Sequence, residues 1–446
     1  MNVAVIGGGY AGMAAAVTLA EHGVPVTVFE AAKTLGGRAR RVEHRDLALD
    51  NGLHILLGAY TETLRLMRLV GTDAERFLLR IPLTWRIHDR FALRAVGLPA
   101  PLHLLAGLLA ARGAPLTERL SAVRFLLRMR RRDYRLPRDT TVISLLEDQG
   151  QGGSLMGLFW FPLCVSALNT PPESASAQVF LNVLRDGLGG SREASDLLLP
   201  RVDLSRLFPD PAADYVRAKG GAVRAGHRVT AMDESNAGFT VRSDGHEYEF
   251  SHLVCALPPY HAAAFLVGIS ALAEAAEAVE RLAYQPIHSV YLGYPAEGIL
   301  PAPMLGFDSG LLQWAFDRGA LAGQRGVIAA VISAEGAHQH LAHDELARLV
   351  HQELQQQLGP LPDPSWHRVI DEKRATFACT PGLRRPEART PLRNFFLAGD
   401  YVASDYPGTI ESAVRSGVNA ARMILEPRPA AAPSIMPESN GREDDG

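Results

Sequence analysis

A glycine-rich turn set between two short apolar runs restricts the first thirty residues of this chain to one kind of unit. Asn2-Val-Ala-Val-Ile6 is apolar and β-branched, as a strand buried on both faces must be. It runs straight into Gly7-Gly8-Gly9-Tyr10-Ala11-Gly12, after which Met13, Ala16 and Ala20 recur at helical spacing as far as Gly23. Pro25-Val-Thr-Val-Phe29 supplies a second strand, closed by Glu30. Glycines alone would mark an ordinary turn. Strand, turn, helix, strand and terminal acid together make the βαβ unit that binds dinucleotides. In that unit Gly7 permits the tight turn, Gly9 lets the backbone approach a pyrophosphate, and Gly12 lets helix and strand pack closely. The helix N-terminus around Ala11 offers unpaired N–H groups to the phosphates. Glu30, with Ala31 beside it, is placed to accept hydrogen bonds from the adenosine ribose.

Which dinucleotide binds is indicated by Leu35-Gly36-Gly37-Arg38-Ala39, a run typical of FAD proteins rather than NAD ones. Gly36 and Gly37 let the chain pass close to the cofactor, and Arg38 can neutralise pyrophosphate charge; the plainer alternative is a surface turn beside a solvated arginine. At the other end of the chain, Asn394-Phe-Phe-Leu-Ala-Gly399-Asp400 reads as a strand delivering an acid at its carboxyl end, where ligands bind in open α/β sheets. Asp400 is expected on the ribityl chain. Ile410, Ala413, Val414, Gly417, Ala420, Ala421 and Ile424 then make one apolar helix face. The N-terminus of that helix, at Thr409 and Ile410, is expected to face the flavin pyrimidine and favour its anionic reduced form. Between these ends, residues 224–229, 238–242 and 247–257 read as alternating strands of a meander, with Val229 beside the adenine. A second GxGxxG is missing, so no NAD(P)H domain is expected and electrons must come from an external donor.

Composition narrows the class. The 446 residues suggest two or three domains, and a formal charge of −3 argues against nucleic acid as a partner. Cys164, Cys255 and Cys379 are far apart, which fits a reducing compartment better than a disulfide framework. Neither a signal peptide nor a bilayer-spanning apolar run is read, so the protein is expected in the cytoplasm, peripherally on the inner face of the membrane. Residues 98–111 are apolar but too short to span. Residues 112–138 hold nine arginines against two acids, Glu118 and Asp133. Arginine beside Leu and Phe on a helix suggests an interfacial element on anionic lipid; the alternative is a solvated basic helix pair over the core. No HExxH or paired-His pattern points to a metal.

Several blocks resemble a known family. Asp50-Asn-Gly-Leu-His54-Ile-Leu-Leu-Gly-Ala-Tyr60 is similar to the segment that follows the Gly-Gly-Arg turn in carotenoid desaturases. With Pro162-Leu-Cys-Val-Ser-Ala-Leu-Asn-Thr-Pro171, Leu198-Leu-Pro-Arg-Val-Asp-Leu204, Tyr284-Gln-Pro-Ile287, Glu372-Lys-Arg-Ala-Thr-Phe377 and Asp405-Tyr-Pro-Gly-Thr-Ile410, it resembles more closely the squalene-associated FAD-dependent desaturases, the hydroxysqualene dehydroxylases of hopanoid biosynthesis. The resemblance runs from residue 1 to about 425. It implies a discontinuous, glutathione-reductase-like (Rossmann-type) α/β FAD domain of residues 1–64, 206–264 and 386–426. An α+β substrate domain of residues 65–205 and 265–385 is inserted in it, and 427–446 form a disordered tail. It also implies non-covalent FAD, a C30 isoprenoid substrate, and reductive removal of a hydroxyl by hydride from reduced flavin N5. His54 and Ile55 should then lie near the isoalloxazine. His54 is the first choice as proton donor, with Asp50 and Tyr60 second; the plainer role for His54 is a hydrogen bond to backbone or flavin edge. Trp85, Trp160, Phe161, Trp314 and Phe316 are either core or the lining of an isoprenoid tunnel. Two other readings stay open: an oxidising desaturase or amine oxidase, and a non-catalytic lipid carrier.

Overall fold

Val3–Ile6, with all four side chains buried, is the middle strand of a five-stranded parallel sheet. The order across the sheet is Ala222–Ala225, Val26–Glu30, Val3–Ile6, His252–Cys255 and Phe395–Leu397, so widely separated stretches of sequence lie side by side. The structure, a computed structural model, describes residues 1–188, 190–235 and 238–426; the tail expected over 427–446 lies outside the described residues.

The chain leaves Ile6 through Gly7, whose φ of +114° is open to glycine and strained for other residues. It then enters the helix Tyr10–Glu21, of which eleven residues are buried. Small side chains on this helix allow two close approaches. A Cβ on Gly12 would lie 1.9 Å from the Gly7 carbonyl oxygen, so no side chain fits where helix meets turn. A Cβ on Gly417 would lie 2.0 Å from the Ala11 carbonyl oxygen. The C-terminal helix Ile410–Leu425 therefore rests almost backbone to backbone on the N-terminal one. The expected apolar face of Ile410–Leu425 is buried as read, apart from Ala413, which is half-buried.

One expectation is corrected. Residues 222–257 are not a single meander. Ala222–Ala225 joins the edge of the parallel sheet, the chain turns at Gly226 (φ +82°), and only then do Val229–Ser235, Gly238–Ser243 and His246–Phe250 pair antiparallel. His252–Cys255 returns to the parallel sheet. Alternation of apolar residues cannot tell these two partnerships apart; the positive-φ glycine is what divides them.

A second, seven-stranded sheet runs in the order Trp366–Phe377, Tyr284–Gly293, Val327–Ser333, Trp314–Asp317, Met304–Gly306, Thr84–Ile87 and Phe91–Arg94. It is antiparallel apart from the contact of Met304–Gly306 with Thr84–Ile87. Buried Asn169 clips the helix before it to this sheet. Its Nδ2 donates to Thr376 Oγ1 (3.0 Å), and its Oδ1 accepts from the Ala334 N–H (2.8 Å). Three of the aromatic residues weighed as tunnel lining are taken up in ring packing. Trp85 and Trp314 meet edge to face at 4.8 Å, and Trp160 is fully buried between Phe125, Phe159 and Phe180. Both Trp85 and Trp314 have their indole N–H satisfied within the protein, by the Leu158 carbonyl and Ser166 Oγ. They are core. Among the described residues no helix is long and apolar enough to cross a membrane.

Candidate functional site

A cavity of about 610 Å³ lies at the carboxyl ends of the parallel strands, the place the connectivity prepares for a ligand. Residues from both ends of the chain line it. Gly7, Gly9, Ala11, Glu30, Ala31, Gly37, Arg38 and His54 come from the N-terminal stretch, Val229 from the middle, and Gly399, Asp400 and Ile410 from the C-terminal stretch. Of the expected cofactor residues, Gly12 and Ile55 stand outside the wall. Gly12 is taken up by its contact with Gly7, and Ile55 packs against the hydrophobic core.

Glu30 is fixed at the end of its strand by two main-chain donors, the N–H groups of Gly8 and Ala32, each at 2.7 Å from a different carboxylate oxygen. Each oxygen keeps a lone pair for a ribose hydroxyl. The helix Tyr10–Glu21 has Gly9 as its N-cap and no side-chain cap, so its first-turn amides face the cavity without an intrahelical acceptor. Thr409 caps the opposite helix by accepting from the Ser412 N–H, and Thr409, Ile410 and Ala413 sit on the cavity wall. Arg38 lies on the same wall with its guanidinium turned to protein partners. It forms an ion pair with Asp400 and donates to the Ala375 carbonyl at 2.8 Å, so its charge is balanced inside the protein. The helix amides are open donors for a diphosphate. The buried Tyr401 hydroxyl on the wall has no partner among the described residues. Uncapped amides, an anchored acid at one end, a second acid opposite and an uncommitted hydroxyl fit FAD.

His54 Nδ1 lies 2.9 Å from the Gly52 carbonyl oxygen, the modest backbone bond that the plainer reading foresaw. This fixes the N–H on Nδ1 and leaves Nε2 without a described partner. Burial holds the imidazole below its usual value; the Gly52 carbonyl opposes this and the positive charge of Arg38 adds to it. His54 also borders a second, small void shared with Asp50, Phe316 and Arg318. Asp50 is 1% exposed. Its Oδ1 accepts from the Leu204 N–H at 2.8 Å, and its Oδ2 stands 3.9 Å from Arg318 Nη1, too long for a close ion pair. Burial pushes the carboxyl up to about 7, against the pull of Arg318 and the Leu204 amide. Asp50 thus holds a proton near neutrality, and His54 does not. Tyr60 is far less acidic than an ordinary tyrosine, chiefly through burial and then through Glu411.

The stability consequence has a definite sign. Between its ordinary value of 3.8 and about 7 Asp50 binds more protons folded than unfolded, so its contribution falls as pH rises through that window and is level above it. The full span is on the order of 4 kcal/mol. Melting temperatures taken from pH 5 to about 7 are expected to fall more steeply for the wild type than for Asp50→Asn, with the two curves parallel above that. Curves parallel throughout would remove Asp50 as the titrating group.

The sequence profile for flavin containing amine oxidoreductase matches residues 10–425. The chain belongs to that family. It is accordingly a FAD-dependent oxidoreductase. Among curated relatives, a hydroxysqualene dehydroxylase of Rhodopseudomonas palustris is 29% identical over 95% of this chain and 98% of its own. One from Zymomonas mobilis is 28% identical over 94% and 98%. A zeta-carotene desaturase of Solanum lycopersicum is 24% identical over 95% of this chain and 81% of its own. Two solved structures share the fold: a redesigned putrescine oxidase (TM-score 0.74, 18% identity, 95% of this chain and 98% of that one) and the cyclohexylamine oxidase of Brevibacterium oxydans (0.67, 19%, 95% and 98%).

Within this amine oxidoreductase framework, some wall residues escaped the sequence reading. Tyr260 lines the cavity, and the Arg374 guanidinium lies over its ring at 4.9 Å and over Tyr284 at 5.8 Å. Arg374 thus anchors the strand that returns to the site. Asn51 joins the Gly36-Gly37-Arg38 turn to the strand Trp366–Phe377, donating through Nδ2 to the Arg38 carbonyl (3.0 Å) and to Glu372 Oε2 (2.9 Å). Asn51 and Glu372 both fall in the blocks quoted for the family resemblance, which was the one available signal. Nothing in spacing or periodicity marks Tyr260 or Tyr401.

Proposed function

We propose that this flavoprotein removes the hydroxyl of hydroxysqualene reductively, giving squalene and water in hopanoid and squalene biosynthesis. The observation that carries the reading is the end-to-end likeness, at 28–29% identity, to proteins named hydroxysqualene dehydroxylase. Reduced FAD supplies the hydride for the new C–H bond, and an external electron donor restores it. The other tasks fall to the chain. The allylic C–O bond breaks with its electron pair on oxygen, which takes one proton and leaves as water; the electron-poor carbon accepts the hydride. His54 is the side chain proposed to pass that proton, from Nε2 at the cavity wall. Asp50, behind it on the shared void, is the proposed proton store, because it is the carboxyl that burial keeps protonated near neutrality. The wall formed by Leu257, Phe265 and Ile287 keeps water from the carbon that has lost its hydroxyl.

The test is a single turnover without oxygen. Protein with reduced flavin, mixed with hydroxysqualene, is expected to yield one squalene per flavin oxidised. The likeness to the zeta-carotene desaturase supports a second reading, oxidation of a polyene by oxidised flavin. Turnover of phytoene by the oxidised protein, with hydroxysqualene unchanged by the reduced protein, would replace the first reading with the second. A protein that purifies without flavin absorbance at about 450 nm would point instead to a carrier.

A further inference from the structure

We propose that the helix pair of residues 102–131 is a docking face for an anionic lipid bilayer. This rests on its surface alone and is independent of the substrate reading. Seven large apolar side chains are exposed among the described residues; four of them (Leu102, Leu109, Leu116 and Leu127) fall in this one stretch and a fifth, Leu98, just before it. They are ordered rather than scattered. On the helix Leu116–Arg131 the buried side chains are Ala122, Phe125, Leu126 and Met129. Leu116, Leu120, Val123 and Leu127, at helical spacings of four, three and four, form a stripe on the other side, each at least partly exposed. On Leu102–Ala110, Leu102 and Leu109 are exposed on one face, and Leu104 and Leu108 are buried on the other. Arg119 fixes the two helices to each other, donating from Nη1 to the Leu109 and Ala111 carbonyls.

Charge identifies the occupant. Eight of the nine arginines in residues 112–138 are exposed, and none of the nine forms an ion pair with a described carboxylate. Arg124, Arg128 and Arg131 flank the leucine stripe on one side and Arg130 on the other. Of the two local acids, Glu118 is turned inward to Ser154 Oγ and the Leu155 N–H, so it neutralises none of them. A solvated basic helix would not expose its leucines, and a nucleic-acid surface would not need them. Leucines between guanidinium groups that no described carboxylate neutralises suit the boundary of acyl chains and phosphates, where the apolar stripe enters and the arginines stay at headgroup level.

Sedimentation of the flavin-loaded full chain with vesicles tests this. At low salt the protein is expected to pellet with phosphatidylglycerol vesicles and to remain in solution with phosphatidylcholine ones. Leu116→Gln with Leu127→Gln is expected to weaken the partition roughly tenfold or more. Arg124→Gln, Arg128→Gln and Arg131→Gln are expected to cost about fivefold each. Wild-type protein that stays in solution with phosphatidylglycerol, or that binds both vesicles equally, overturns the proposal whatever the variants do. Leucine variants that bind like the wild type overturn it too, by reducing the contact to a purely ionic one.

Discussion

Replacing Gly417 by valine is expected to strip the protein of flavin and to lower its stability by about 3 kcal/mol or more. The cause is local and steric. A Cβ at this position falls 2.0 Å from the Ala11 carbonyl oxygen and 3.0 Å from the Ala15 amide nitrogen, and neither backbone atom is free to give way. Relief requires the helix Ile410–Leu425 to lift off Tyr10–Glu21. That movement carries Thr409 and Ile410 away from the cavity wall they share with Gly9 and Ala11. Glu411 resists the shift, because its buried carboxylate accepts from the Glu62 and Thr63 N–H groups, from Thr63 Oγ1 and from Arg415. Strain and lost cofactor should therefore appear together. Asn419→Val, on the exposed side of the same helix, is expected to cost only a few tenths of a kcal/mol and to keep the flavin. Flavin absorbance and thermal melting of the two variants check this. A yellow, normally stable Gly417→Val protein would mean that the helix contact does not shape the site.

The second large effect concerns proton supply. Asp50→Asn is expected to lower kcat for dehydroxylation by roughly two orders of magnitude or more, in the range of a lost general acid. KM should change little, because Asp50 borders the small void behind His54 and not the flavin cavity. The wild-type rate should fall as pH rises through about 7, as the Asp50 carboxyl ionises, and the variant's low rate should lack that step. Near neutrality the substitution exchanges one uncharged group for another, its amide oxygen can still accept from the Leu204 N–H, and Arg318 stands 3.9 Å off, so little stability should be lost. The missing pH step separates a lost proton from a merely softened fold. A variant with the wild-type rate and the wild-type pH profile would remove Asp50 from the chemistry.

Much of the cofactor half was legible in the sequence for a physical reason. Strand, glycine turn and helix at residues 3–21 are set by local sterics and by burial on both faces, and both leave a mark in consecutive residues. The C-terminal helix was legible through its apolar period. Pairing partners were less so. Ala222–Ala225 reads like any half-buried strand, and only the sheet decides that Val26–Glu30 is its neighbour. The pairing of Arg38 was not legible because its partner, Asp400, stands at the far end of the chain. Asp50 was ranked below His54, since sequence cannot show that a carboxyl is buried against the Leu204 N–H with only a distant guanidinium facing it, and burial is what raises its affinity for a proton. The quoted family blocks prove to be joints. Asn169, Asn51, Glu372 and Asp50 each bond across elements far apart in sequence, a role that carries no periodic signal.

Equilibrium titration of FAD into flavin-free protein, for the wild type, Glu30→Ala and Asp400→Ala, tests most directly whether both ends of the chain grip one flavin. One FAD per wild-type chain is expected, with affinity reduced about tenfold or more in each variant, as befits lost charge-assisted hydrogen bonds. Wild-type protein that takes up no FAD, or an Asp400→Ala protein that binds it as tightly as the wild type, would contradict the account.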